Sequence, residues 1–160
     1  MSAKLLTPLA AAALLAGCAT PPQVVRSGDP AFARGKTVAL RVSEATPSDR
    51  AQMDRASVLV LEKLQAQAAR LGEPAAADYL MQVAFSALPK GVGVMRDGTG
   101  GWLSQSRRRF GMRSPSYAVS ITAIEARTGK AAFSATATGR AQGDPAKTVD
   151  RLVTAALGEP

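Results

Sequence analysis

The apolar positions of this chain follow three patterns. Leu5 to Leu15 form an almost unbroken apolar run of eleven residues, against the ~20 that a membrane-spanning helix needs. Thr37 to Val42 alternates instead, with Val38, Leu40 and Val42 separated by Ala39 and Arg41, the two-residue period of a strand. That period returns over Tyr79 to Leu88, where Tyr79, Met81, Val83, Phe85 and Ala87 share one face and Leu80, Gln82, Ala84 and Ser86 the other. It returns twice more: over Tyr117 to Glu125, with Tyr117, Val119, Ile121 and Ala123 inward, and over Ala131 to Thr138, around Phe133. Between these two, Arg127-Thr128-Gly129-Lys130 is a turn signal.

The third pattern is helical. Met53, Ala56, Val60, Leu64, Ala68 and Leu71 fall along one side of a helix, broadened by Leu61. Thr46 is its expected cap, Pro47 its first helical residue, and Asp49 the side chain that reaches back. Gly72 and Pro74 should stop it after about Leu71, leaving Glu62, Lys63 and Arg70 toward solvent. A last helix starts at Asp144-Pro145, with Val149, Leu152, Val153, Ala156 and Leu157 as its apolar face. A strand–helix–strand unit crosses over right-handed and leaves its strands parallel. The expected fold is therefore α+β. It is a single β-α-β-β-β-α domain over residues 37–158, a four-stranded mixed sheet packed by two helices on one face.

The first apolar run follows Lys4 and has the layout of a removable export signal. It ends in Leu15-Ala16-Gly17-Cys18, which resembles a lipobox, the recognition site of bacterial lipoprotein maturation. The small side chains of Ala16 and Gly17 let a peptidase hold the backbone extended. The resemblance implies a signal peptide over 1–17, cleavage before Cys18, and diacylglycerol plus an N-acyl chain on that cysteine; no other cofactor is expected. Several acyl chains give stable attachment where one gives only marginal binding. Ala19 stands where an aspartate would mark inner-membrane retention, so the expected address is the bacterial cell envelope, at the outer membrane facing the periplasm. Residues 18–36 are expected to be the lipidated cysteine and a flexible tether. Thr20-Pro21-Pro22-Gln23 and Ser27-Gly28-Asp29-Pro30 offer little apolar surface to offset the entropy of ordering.

Composition narrows the chemistry. After the signal roughly 140 residues remain, enough for one domain that buries about two-thirds of its unfolded surface. Cys18 is the only cysteine, so no intramolecular disulfide forms. Histidine is absent, which removes the commonest general base and the commonest metal ligand. No Gly-x-Ser-x-Gly elbow is present. The carboxylates are scattered: Glu73 with Asp78, and Asp144 with Asp150, come near one another, and both pairs flank element ends. Gly35-Lys36-Thr37 is not a phosphate loop, because Pro30 sits where that motif needs glycine and a strand follows it instead of preceding it. No catalytic residue, no metal site and no enzyme activity are expected.

Ala77-Asp78-Tyr79-Leu80 through Val83, then Leu88-Pro89-Lys90-Gly91-Val92-Gly93, is similar to the middle of a family of small bacterial lipoproteins that share a domain of unknown function, the DUF-4136 type. The run Ile121 to Lys130, followed by the aromatic Phe133, resembles the C-terminal hairpin of that family. The likeness covers roughly Lys36 to Leu157. It implies a fold and an address, and carries no catalytic residues.

The net charge of +8 is concentrated between the second and third expected strands. Pro89 to Pro115 holds Lys90, Arg96, Arg107, Arg108, Arg109 and Arg113 against Asp97 alone, with Trp102, the only tryptophan, among them. Six of the fourteen glycines lie here too, so the segment reads as a long basic, Gly-rich loop, and loops of this length are either functional or unstructured. In the functional reading Arg96, Trp102, Arg107, Arg108, Arg109 and Arg113 meet an anionic surface. The arginines fork onto phosphates and the tryptophan enters the headgroup region. The plainer reading is a solvated excursion of a hairpin. Expected partners are the membrane, through the lipid anchor, and another envelope protein or an anionic envelope polymer; export argues against nucleic acid. The expected function is that of a lipid-anchored envelope lipoprotein with a non-enzymatic binding or structural role. The alternative is an accessory lipoprotein of an envelope lipid or solute transport system, which an apolar cavity between helix and sheet would favour.

Overall fold

The computed structural model describes residues 21–41, 45–88, 92–96, 102–106, 115–141 and 143–158. Within them the chain forms β1 (Gln23–Gly28), β2 (Thr37–Arg41), α1 (Arg50–Ala66), β3 (Arg70–Leu71) and a short 3-10 turn at Pro74–Ala76. There follow β4 (Tyr79–Leu88), β5 (Val92–Arg96), β6 (Trp102–Ser106), β7 (Ser116–Glu125), β8 (Ala131–Arg140) and α2 (Pro145–Leu157). The fold is α+β with a mixed sheet and two helices. Its main sheet has six strands in the order β1-β8-β7-β4-β2-β3, not four.

The four strands expected from alternation are all present, and β2 and β4 are parallel around α1. From β4 onward the pairing is antiparallel, β4 with β7 and β7 with β8. Met81 lies opposite Ala123, Val83 opposite Ile121 and Phe85 opposite Val119. Ile121 in turn faces Ala135 and Val119 faces Ala137. All of these are buried, so one set of alternating positions carries the core and both helices cover that one face. Val60 and Leu64 from α1, and Val149, Leu152 and Val153 from α2, close it at 0% exposure. Ala87 is exposed, one step past the last covered position.

The first added strand is β1. Residues 23–28 fall in the stretch expected to be a tether, yet they pair antiparallel with β8 from Gln23↔Thr138 to Gly28↔Phe133. Two β-branched valines favour the extended state, and Gly28 permits the close approach that ends it. Its φ is +89°, and a Cβ there would lie 2.1 Å from the Ala132 carbonyl oxygen. The Asp29 carboxylate accepts from Ala31 N at 2.8 Å, turning the chain so that Phe32 stacks on Phe133 (centroids 5.2 Å apart) and meets Tyr79 edge-on at 5.3 Å. Ala33 is fully buried. Residues 23–36 of the expected tether are thus part of the domain.

The second added strand comes from the end of α1, which stops at Ala66 and not near Leu71. Ala68 adopts a left-handed backbone (φ +67°) and Ala69 N returns to the Leu64 carbonyl at 3.0 Å, the wide bond of a Schellman turn. Arg70 N then bonds to Lys36 O (2.8 Å) and Gly72 N to Val38 O (3.0 Å), which adds β3 beside β2. Pairing the open edge of β2 outweighs one more helical turn. Ala68 is therefore exposed and Leu71 is 44% exposed, while Ala69 is buried. The expected capping box at the start of α1 also gives way. Asp49 N bonds to Thr46 O (3.0 Å) as a tight turn, and the helix begins at Arg50 with Asp49 as a cap whose carboxylate accepts from the Thr46 hydroxyl at 3.0 Å and from no helix N–H. α2 starts as expected: the Asp144 carboxylate accepts from Ala146 N at 2.9 Å.

Candidate functional site

Leu15, Ala16, Gly17 and Cys18 lie outside the described residues, as do Arg107, Arg108, Arg109 and Arg113. Of the basic stretch, β5 and β6 form a separate two-stranded antiparallel sheet in which Arg96 stands opposite Trp102 in the register. Part of the expected loop is therefore a hairpin. Val92 and Val94, two residues apart, and Leu103 suit strands. The whole stretch leaves the main sheet at Leu88 and rejoins it at Ser116, and these two residues are direct cross-strand partners.

The polar side chain that the sequence reading passed over is Arg26. It occupies an inward position of β1, opposite the buried Ala135. From there its Nε donates to the Ala156 carbonyl at 2.7 Å and its Nη2 to the Ala155 carbonyl. Both carbonyls belong to the last turn of α2, whose oxygens lack helical partners and carry the negative end of the helix dipole. Beside this contact lies a cavity of about 470 Å³, lined by Arg26, Pro30, Ala31, Arg34, Ala66, Gln67, Ala68, Leu157 and Gly158. Arg34 is exposed at its rim, and the buried Gln67 Oε1 has no hydrogen-bond partner among the described residues. Two guanidiniums and an amide around a partly apolar hollow suit a small anion. Two of Arg26's donor groups are already committed to α2, so its first role is to hold the N-terminal strand to the C-terminal helix. Val24-Val25 before Gly28-Asp29-Pro30 hints at an extended segment, but two valines are too few to show a period and place Arg26 in the fold.

Of the carboxylates that neighbour one another in sequence, Asp78, Asp144 and Asp150 serve the scaffold, while Glu73 makes no cap bond to the 3-10 turn it precedes. Asp78 accepts from Thr37 N at 2.8 Å, and its own backbone bonds to Thr37 O and Ala126 N, which joins the starts of β2 and β4. Asp144 caps α2. Asp150 is gripped by Arg55, Nε to Oδ1 at 2.7 Å and Nη2 to Oδ2 at 2.5 Å, and the hydrogen bonds from Arg55 hold its carboxyl below the ordinary aspartate range. Among the described residues no group of three or more acidic or thiol side chains converges as a metal site. Among the same residues no helix is long and apolar enough to cross a membrane.

No family model matches the chain, and no curated protein matches its sequence. Solved structures do match. The PelC dodecamer from Paraburkholderia phytofirmans superposes with a TM-score of 0.54 at 18% identity, over 85% of this chain and 94% of that one. A Leu→Met variant of that PelC gives 0.56 at 20% identity, over 84% and 96%. A PDZ domain protein from Parabacteroides distasonis gives 0.52 at 12% identity, over 86% of this chain and only 34% of its own. At these identities the likeness is one of fold.

Proposed function

We propose that this chain is a lipid-anchored lipoprotein of the bacterial envelope, held at the outer membrane toward the periplasm, whose domain works by binding at its surface and not by catalysis. The observation that carries this reading is the filled interior behind a lipobox-like leader. Phe133, Leu64, Met81, Ile121 and Leu152 occupy the space between helices and sheet at below 2% exposure, so the contact surface for a partner lies outside. The resemblance to small bacterial lipoproteins supports the address. The PelC chain that shares this fold over nearly its whole length forms a dodecamer, which adds further copies of this chain to the classes of partner. The test is metabolic labelling with a fatty acid, followed by membrane fractionation, for the wild type and Cys18→Ser. Acyl label and membrane association should both be lost in the variant. Retention of both would remove the reading.

The accessory role in lipid or solute transport is favoured by one observation, the Arg26–Arg34 cavity, whose volume is within the range of small-molecule sites. A saturable rise in melting temperature with an anionic amphiphile, abolished by Arg34→Ala, would promote it over the first.

A further inference from the structure

The register brings the start of the fold and both ends of the basic stretch to one end of the sheet. Gln23 is opposite Thr138, Thr138 opposite Ala118, and Ala118 opposite Ser86. Two residues further along, Arg140 is opposite Ser116 and Ser116 opposite Leu88. Pro21, two residues before Gln23, therefore reaches the level at which β4 ends, β7 begins and β8 ends. Neighbouring strands lie about 4.8 Å apart, so the entry into β1 and the exit from β4 are separated by about 14 Å. Ala141 N donates to Pro115 O at 2.8 Å and extends the ladder by one step at the same place. β2 runs parallel to β4, but its last residue, Arg41, stands opposite Gln82, six residues before the end of β4 at Leu88, and so stops about 20 Å short of this end. The N-terminus of α2, with Lys147, follows β8 at this end, and the Arg55–Asp150 pair sets the start of α1, with Arg50, level with it. Arg50, Arg140 and Lys147 are all exposed.

We infer that this end of the domain faces the bilayer that holds the chain, and that its basic side chains form an interaction surface for anionic lipid headgroups. The inference rests on the proposed anchoring at Cys18. Only Ala19, Thr20, Pro21 and Pro22 separate that cysteine from β1. Five Cα steps reach about 18 Å at full extension, and the two prolines stiffen the strap and shorten it to about 3.1 Å per residue. β8 runs from Arg140 at this end to Ala131 at the other, about 30 Å at the rise of a strand. A strap that short keeps the near end within about two screening lengths of the headgroups, and leaves the Ala126–Lys130 turn several screening lengths away. At that far turn Arg127 lies beside Glu125 at 3.9 Å. At the near end, among the described residues, Arg50, Arg140 and Lys147 outnumber Asp49 and Asp144, so charge and anchor point to the same side.

The test places a photo-crosslinking benzoylphenylalanine in the full-length chain in living cells, at exposed Lys147 of the near end or exposed Thr128 of the far turn. Lipid adducts are then identified by mass spectrometry alongside the acyl group on Cys18. Adducts several-fold more abundant at 147 than at 128 are expected. Equal or greater yield at 128 in an acylated chain would overturn the orientation while leaving the anchor in place. Absence of the acyl group would remove the anchor and the orientation with it. A third position, Gln23, tests the charge. Changing Arg50, Arg140 and Lys147 together to Gln should lower the ratio of anionic to zwitterionic lipid adducts there, and an unchanged ratio would overturn the headgroup preference.

Discussion

Arg55 of α1 forks onto Asp150 of α2, one donor to each carboxylate oxygen. It is a side-chain bridge between the two helices, and both partners are substantially exposed, at 49% and 36%, so water and salt screen it. The depressed Asp150 titration fixes the sign of its pH dependence. A carboxyl more acidic in the folded state contributes stability above its unfolded value of about 3.9, and loses it as pH falls through the folded value. Asp150→Asn should therefore lower the melting temperature slightly at neutral pH, and the difference from wild type should close below pH ~3.9. Melts across pH check this; a difference that persists unchanged into that range would mean the pair acts through packing and not through charge.

Gly28 and Ala68 should respond in opposite directions to exchange between glycine and alanine. Gly28→Ala puts a Cβ onto the Ala132 carbonyl at a positive φ, and should cost clearly more than the ~1 kcal/mol typical of a strained alanine. Gly35→Ala, also at positive φ but with nothing within 4 Å, is the control for the torsional part alone. Ala68→Gly relieves a left-handed alanine worth about 1–2 kcal/mol, part of which is offset by the freer unfolded chain, so a net gain of about 0.5 kcal/mol is expected. Denaturant unfolding of the three variants gives the comparison.

Among the described residues Phe133 is the largest fully buried side chain, and it carries Phe32 stacked upon it. Phe133→Ala should cost about 3–5 kcal/mol and loosen the Asp29–Lys36 turn with it. Phe85, at 8% exposure beside Tyr117, should cost less on the same substitution. Equal losses at the two positions would show that Phe32 does not use Phe133 as its platform.

The basic stretch carries a prediction made from charge alone. Changing Arg107, Arg108 and Arg109 to Ser should weaken binding of the protein to anionic vesicles, most at low salt where attraction is least screened. The melting temperature should barely move. Equal binding by the triple variant would leave the stretch as a solvated excursion.

Where one face of a strand or helix is buried, its periodicity was readable. β2, β4, β7, β8 and α2 all follow from alternation or from the Val149-Leu152-Val153-Ala156 stripe. β1 and β3 were not, because each lies at a sheet edge and has too few apolar residues to show a period. Their reasons for existing are distant: Phe133 and Ala132 for β1, the open edge of β2 for β3. The end of α1 was misplaced for a related cause. Ala68, Arg70 and Leu71 are all competent helix formers, and only the pairing of Arg70 with Thr37 takes them out of the helix. Arg26 was missed with β1, since a side chain that caps a helix 130 residues away leaves no local trace.

The short strap, and with it the placement of the basic end toward the membrane, depends on residues 23–28 belonging to the sheet. Hydrogen–deuterium exchange of a peptide spanning Gln23–Gly28 measures this directly. Amides paired with β8 should exchange well below the rate of an unstructured chain, and Gly28→Ala should release them. Exchange of this peptide at the unstructured rate in the wild type would restore the long flexible tether and contradict the account.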